Sequence, residues 1–133
     1  MRKGGTAGPF NYMPDSIHII ADFCQCPPEL LENGETGEKI LVQTVDESGL
    51  NCVLIRYHQF SPAGYTAAAL LTESHITLHS WPEYKSVQID IFTCGSHEKA
   101  KQALEVLKRL FKPGKISEKI LIRRLDEIII QSG

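Results

Sequence analysis

The sequence predicts an α+β fold: a two-layer α/β sandwich whose mainly antiparallel sheet carries helices on one face, in the order β-α-β-β-β-β-α-β. Three observations predict it. Short segments alternate apolar and polar residues between Pro/Gly turns, the period of half-buried strands. Two longer segments carry apolar residues at helical spacing. The 133 residues fit one domain with a core of useful size, and no internal repeat is visible.

Residues 1–15 hold Gly4, Gly5, Gly8, Pro9 and Pro14 with little periodicity and read as a flexible lead-in to a single domain over 16–133. Residues 16–24 form the first strand, with Ile17, Ile19, Ile20 and Phe23 around His18 and Asp22, and Pro27-Pro28 stops it. A helix within 29–47 turns Leu30, Leu31, Ile40, Leu41 and Val45 inward; Gly34 and Gly37 predict a break in its first half, and Ser48-Gly49 closes it. Residues 50–60 read as a strand alternating Cys52, Leu54 and Arg56 against Val53, Ile55 and Tyr57. After the turn Ser61-Pro62-Ala63-Gly64, residues 65–72 are almost all small and apolar, which predicts a strand buried on both faces.

Residues 76–81 continue that direction or start a new strand, with His75, Thr77, His79 and Trp81 on one face and Ile76 and Leu78 on the other. A turn at 82–86 leads to a strand at 87–93, where Val87, Ile89, Ile91 and Thr93 oppose Gln88, Asp90 and Phe92; Cys94 falls in phase with Asp90 and Phe92. From the N-cap candidate Ser96, the residues Ala100, Ala103, Leu104, Leu107, Leu110 and Phe111 repeat at helical spacing until Pro113-Gly114. A final strand covers about 116–130, with a turn near Asp126.

Composition narrows the function classes. With 14 Lys+Arg against 16 Asp+Glu and a net charge of -2, the scattered basic residues argue against nucleic acid or an anionic membrane as partner. The longest apolar runs fall far short of the roughly 20 residues of a membrane helix, and the N-terminus lacks the apolar stretch of a signal peptide. A cytoplasmic location is expected. There the four cysteines at 24, 26, 52 and 94 stay reduced, and Cys24-Gln25-Cys26 has no second Cys/His pair at zinc-like spacing, so no metal is expected.

Chemistry concentrates in Glu73-Ser74-His75-Ile76-Thr77-Leu78-His79-Ser80-Trp81-Pro82-Glu83 and in Asp90-Ile91-Phe92-Thr93-Cys94-Gly95. A hydroxyl, two imidazoles, carboxylates and a thiol at this density in a β-prone region each need a partner if buried. Ser74 lacks a Gly-x-Ser-x-Gly elbow, which weakens a Ser-His-acid hydrolase, and Cys94 with His79 as a thiol pair has no supporting motif. Taken singly, such residues are more often satisfied core groups than catalysts. Composition and spacing alone stop at an α/β domain with a candidate acid/base site.

These two motifs, together with Phe60-Ser61-Pro62-Ala63-Gly64-Tyr65-Thr66 and the opening strand His18-Ile19-Ile20-Ala21-Asp22-Phe23, resemble the short prokaryotic, pyruvoyl-dependent S-adenosylmethionine decarboxylases over about residues 16–110. The resemblance implies a proenzyme that cuts itself between Glu73 and Ser74 into chains 1–73 and 74–133, converting Ser74 into a covalent pyruvoyl group. The pyruvoyl ketone then condenses with the substrate amine to a Schiff base and accepts electron density as carbon dioxide leaves. It further implies His79 as acid/base in processing, assisted by the hydroxyl of Thr66 where the family usually has serine, and Cys94 as general acid toward the substrate carbanion. Phe60 is implied to stack on adenine and Glu83 to accept from the ribose hydroxyls. The product, decarboxylated S-adenosylmethionine, feeds spermidine biosynthesis, and a homodimer with its active site near the interface is implied as well. Two rivals stand beside this expectation. One keeps the pyruvoyl chemistry but takes arginine or ornithine; the other is a non-processing paralogue serving as a binding or regulatory module.

Overall fold

The computed structural model describes residues 15–126. Its elements follow the expected order: β1 (Asp15–Cys24), α1 (Gly34–Ser48), β2 (Cys52–Gln59), β3 (Tyr65–Leu71), β4 (Ser74–Trp81), β5 (Ser86–Thr93), α2 (His97–Phe111) and β6 (Lys115–Arg124). The lead-in at 1–14 and the last part of the expected final strand, 127–130, lie outside the described residues. Within them the strand ends at Arg124, and the turn near Asp126 is helical from Leu125.

The six strands form one sheet in the order β2-β3-β4-β5-β1-β6, with every neighbouring pair antiparallel. Both helices lie on one face, α1 over β2 and β3, α2 over β1 and β5, and the two pack side by side. The period of 2 then decides what is core. Ile17, Ile19, Ala21 and Phe23 of β1, Ile76 and Leu78 of β4, and Val87, Ile89 and Ile91 of β5 all point at the helices and are buried. They meet Leu41 and Val45 of α1 and Ala100, Leu104, Leu107 and Phe111 of α2, with the Phe23 and Phe111 rings edge to face at 6.3 Å.

The helix boundaries have local causes. The expected break separates a short 3-10 turn (Pro28–Leu30) from α1, which starts at Gly34 and ends at Gly49 in the left-handed conformation, φ 76°. Ser96 caps α2 as expected, its hydroxyl accepting from the Lys99 N–H at 3.1 Å.

One expectation needs correction. β3 is buried on one face only: Tyr65, Ala67, Ala69 and Leu71 meet the helix layer, whereas Leu70 is 47 % exposed on the other side. No helix of the described residues covers that second face, which carries Ile20, Leu70, Trp81 and Leu121 half-exposed. At its centre His18 Nε2 lies 2.5 Å from Asp90 Oδ1, the rings of His18 and His75 flank Phe92, and the Arg123 guanidinium sits 5.0 Å over the Phe92 ring.

The join between α1 and the sheet is tight at Gly37. A Cβ there would come within 2.3 Å of the Tyr65 ring, which is fully buried and anchored by its hydroxyl donating to the Leu30 carbonyl at 2.8 Å. Gly37→Ala is expected to destabilise the fold by about 1–3 kcal/mol through overpacking, measured by urea unfolding.

Candidate active site

Residues 72 and 73 form a two-residue connection between β3 and β4, since Leu71 pairs with Ser74. Two-residue hairpin loops favour Asn and Gly at positions of positive φ, and Thr72-Glu73 supplies neither. The strain appears next door: Ser74 has φ 153°, a backbone conformation that an L-residue rarely adopts.

The end of β5 meets this turn. The Cys94 N–H donates to the Glu73 carbonyl oxygen at 3.2 Å, and the Cys94 thiol donates to the same oxygen at 3.4 Å. Gly95 allows the approach, because a Cβ on it would lie 3.0 Å from Glu73 Cγ. Glu73, Ser74 and Cys94 therefore form one cluster, with two donors converging on the carbonyl of the bond between Glu73 and Ser74.

His79 and Thr66 form a second cluster. They face each other across β3 and β4, and His79 Nδ1 is 3.2 Å from Thr66 Oγ1. Both line a cavity of about 740 Å³ whose walls include Phe60 from the loop after β2 and Glu83 from the 3-10 turn Pro82–Tyr84. Phe60 is 47 % exposed, its ring edge to face with His58 at 4.8 Å. Beneath, the buried Ser80 hydroxyl accepts from the Tyr65 N–H at 2.8 Å and donates to the Leu31 carbonyl at 2.7 Å, fixing the cavity floor to the core.

Within one chain these clusters do not meet. Ser74 and His79 are five residues apart on the same strand, about 17 Å at the rise of an extended chain. The sequence motif holds them together only on paper. Of the sequence-predicted residues, the fold brings Glu73, Ser74 and Cys94 together at one end of β4, and Phe60, Thr66, His79 and Glu83 together at the other. His75 sits between them, against Phe92 on the open face.

The family model described as S-adenosylmethionine decarboxylase matches residues 17–124. The chain belongs to the S-adenosylmethionine decarboxylase family. The match runs from β1 to the end of β6 and so extends past residue 110, where the motif resemblance stops. Two S-adenosylmethionine decarboxylase proenzymes illustrate the relationship. That of Fervidobacterium nodosum is 40 % identical over 95 residues, 71 % of this chain and 69 % of the relative. That of Methanococcus aeolicus is 39 % identical over 98 residues, 74 % and 84 % of the two chains. The crystal structure of the adenosylmethionine decarboxylase from Aquifex aeolicus superposes with a TM-score of 0.79 at 30 % identity, covering 82 % of this chain and 90 % of that one.

Sequence reasoning missed how two residues shape these clusters. Gly95 stands in the second motif with no role assigned to it, and only the packing shows that its missing side chain admits Glu73. Gln59, just before Phe60, carries no motif signal; its role depends on which backbone atoms the fold brings around it.

Among the described residues no group of three or more His, Cys, Asp or Glu could hold a metal ion, and no helix is long and apolar enough to cross a membrane. Cys24, Cys26 and Cys52 are free thiols. Cys26 is 2 % exposed, and burial, with the neighbouring Cys24 charge adding to it, pushes its thiol up to about 11. It is thus protonated and inert at neutral pH, unlike a reactive thiol. Iodoacetamide at mildly alkaline pH should alkylate the exposed Cys52 first and leave Cys26 unmodified until the chain unfolds, as peptide mass mapping would read.

Proposed function

We propose that the two clusters are the halves of one active site, built on Ser74 and completed by a second copy of the chain. The protein is a self-processing, pyruvoyl-dependent decarboxylase of S-adenosylmethionine that supplies the decarboxylated product for polyamine synthesis. One observation carries the site assignment: the Glu73 carbonyl is held by two donors of Cys94 directly beside a serine in a strained conformation.

That arrangement suits peptide-bond rearrangement. Attack of Ser74 Oγ on the Glu73 carbon puts negative charge on the carbonyl oxygen, where the Cys94 N–H and S–H already point. Collapse breaks the C–N bond and leaves an ester, releasing backbone strain of about 1–3 kcal/mol. Removal of the Ser74 Cα proton then expels the Glu73 carboxylate, and water converts the resulting dehydroalanine to the terminal ketone with loss of ammonia. The pyruvoyl group so formed supplies an electrophilic carbonyl and an electron sink for decarboxylation. Cys94, beside it, is positioned to deliver the proton to the substrate carbon.

The proton handling assigned to His79 has to come from elsewhere than the same chain, given the separation along β4. A two-fold axis lying over the open face, perpendicular to the strands, would set the Ser74 end of one sheet against the His79 end of the other. The half-exposed Ile20, Leu70, Trp81 and Leu121 give that face the apolar character of a homodimer interface. In this arrangement Thr66 orients the His79 ring through Nδ1, and the partner's cavity brings the nucleoside. Phe60 offers a face for adenine, and Glu83 offers acceptors for the ribose hydroxyls. An aromatic wall and about 740 Å³ suit a nucleoside better than arginine or ornithine alone. The free thiols of Cys24, Cys26 and Cys52 fit a cytoplasmic setting.

Intact-mass spectrometry should give chains 1–73 and 74–133, the second with a blocked terminus; a chain that stays whole on prolonged incubation would reject the reading. Ser74→Ala should remain uncut and inactive. Cys94→Ala keeps the N–H donor, so it should still be cut, slowly, while kcat drops by about 10²–10⁴. Turnover of a basic amino acid in place of S-adenosylmethionine would assign the other substrate class.

Shared sites make a further prediction. Ser74→Ala and His79→Ala chains, each defective alone, should regain cleavage of the His79→Ala chain when co-expressed, because one intact composite site forms per mixed dimer. Absence of complementation, with mixed dimers demonstrated, would place both roles within one chain.

A further inference from the structure

Gln59, the last residue of β2, makes more side-chain hydrogen bonds than its position at a strand end requires. Its Oε1 accepts from the Gly34 N–H at 2.6 Å. Its Nε2 donates toward the carbonyls of Glu32 at 2.9 Å, Phe60 at 2.9 Å and Gly64 at 3.0 Å. The backbone completes the unit, with the Phe60 N–H donating to the Gly64 carbonyl at 2.8 Å and the Gly64 N–H to the Glu32 carbonyl at 2.9 Å. One side chain thus joins two separate stretches, the lead into α1 at 32–34 and the loop at 60–64.

The chemistry of the partners specifies an amide. The Gly34 N–H needs an acceptor, the carbonyls of Glu32, Phe60 and Gly64 lie within reach of the two N–H bonds of a primary amide, and only a group with both ends meets both. A carboxylate would serve Gly34 but face three carbonyl oxygens; an alkyl group would serve none. The N-cap residue Asn33 makes no side-chain bond to the helix, so the first N–H of α1 depends on Gln59.

We propose that Gln59 is a positioning residue for substrate affinity, holding the 60–64 loop, and with it the exposed ring of Phe60, as a preformed wall of the cavity. The inference rests on the reading of that cavity as the nucleoside half of the site. A loop fixed in advance does not have to be ordered when the nucleoside arrives, so the benefit falls on binding. In the proposed dimer self-cleavage draws on the partner's His79 and Thr66, which the β3–β4 pairing holds in place, and not on the 60–64 loop.

Gln59→Glu, which keeps the size, and Gln59→Leu test this with Phe60→Ala as reference. For the Gln59 variants the KM for S-adenosylmethionine and the Kd for 5′-methylthioadenosine, which carries adenine and ribose without the amine, should both rise about tenfold. The extent and rate of self-cleavage should match the parent, and kcat should change by less than about twofold. Gln59→Glu carries the test should Gln59→Leu fail to fold. The proposal is overturned if Phe60→Ala raises both constants while the Gln59 variants leave them unchanged. It is equally overturned if the Gln59 variants slow self-cleavage and lower kcat together with binding, the mark of a merely structural role. If Phe60→Ala itself leaves nucleoside binding intact, the reading of the cavity falls, and this inference falls with it.

Discussion

A six-stranded sheet has two faces, and among the described residues the two long helices, α1 and α2, both pack on the same one. That shortage of cover governs the rest. The helix side takes the branched aliphatic residues of β1, β4 and β5 and becomes a close-packed core. The other side keeps a mixture no solvent-facing sheet needs: half-exposed aliphatics, a tryptophan, and a histidine–carboxylate pair beside a phenylalanine. The groups with chemistry lie on or at the ends of that bare side, so covering the sheet and assembling the site become the same event in the proposed dimer.

Much of the architecture was legible because it follows from period and punctuation. β1 and β5 alternate cleanly, α2 has a capping serine and a Pro-Gly stop, and the weak start of α1 shows in its glycines. β3 misled for a definite reason. Thr66, Ala68 and Leu70 offer no polar contrast to Tyr65, Ala67 and Leu71, and a strand apolar on both sides looks the same whether its second cover belongs to its own chain or is absent from it.

The site was legible only in part. Glu73, Ser74 and Cys94 do come together, but the sequence showed this through motif resemblance, since contact between a hairpin turn and the end of β5 depends on register. Phase alone set His79 beside Thr66 only after the β3–β4 pairing was known. The separation of Ser74 from His79 was readable in principle, because five residues of strand cannot fold back on themselves. The positive φ of Ser74, the close approach at Gly95 and the four-way bonding of Gln59 are three-dimensional facts with no linear signature.

The strand order carries one more consequence. A cut between Glu73 and Ser74 would leave β1, β2 and β3 on one piece and β4, β5 and β6 on the other. In the sheet these pieces interleave, because β1 of the first lies hydrogen-bonded between β5 and β6 of the second. Neither piece owns a complete hydrophobic layer, and each holds one helix of the shared cover. The severed protein would therefore stay a single cooperative unit, a naturally split fold whose halves cannot part without unfolding, so maturation can break the backbone at its centre and leave the scaffold unchanged.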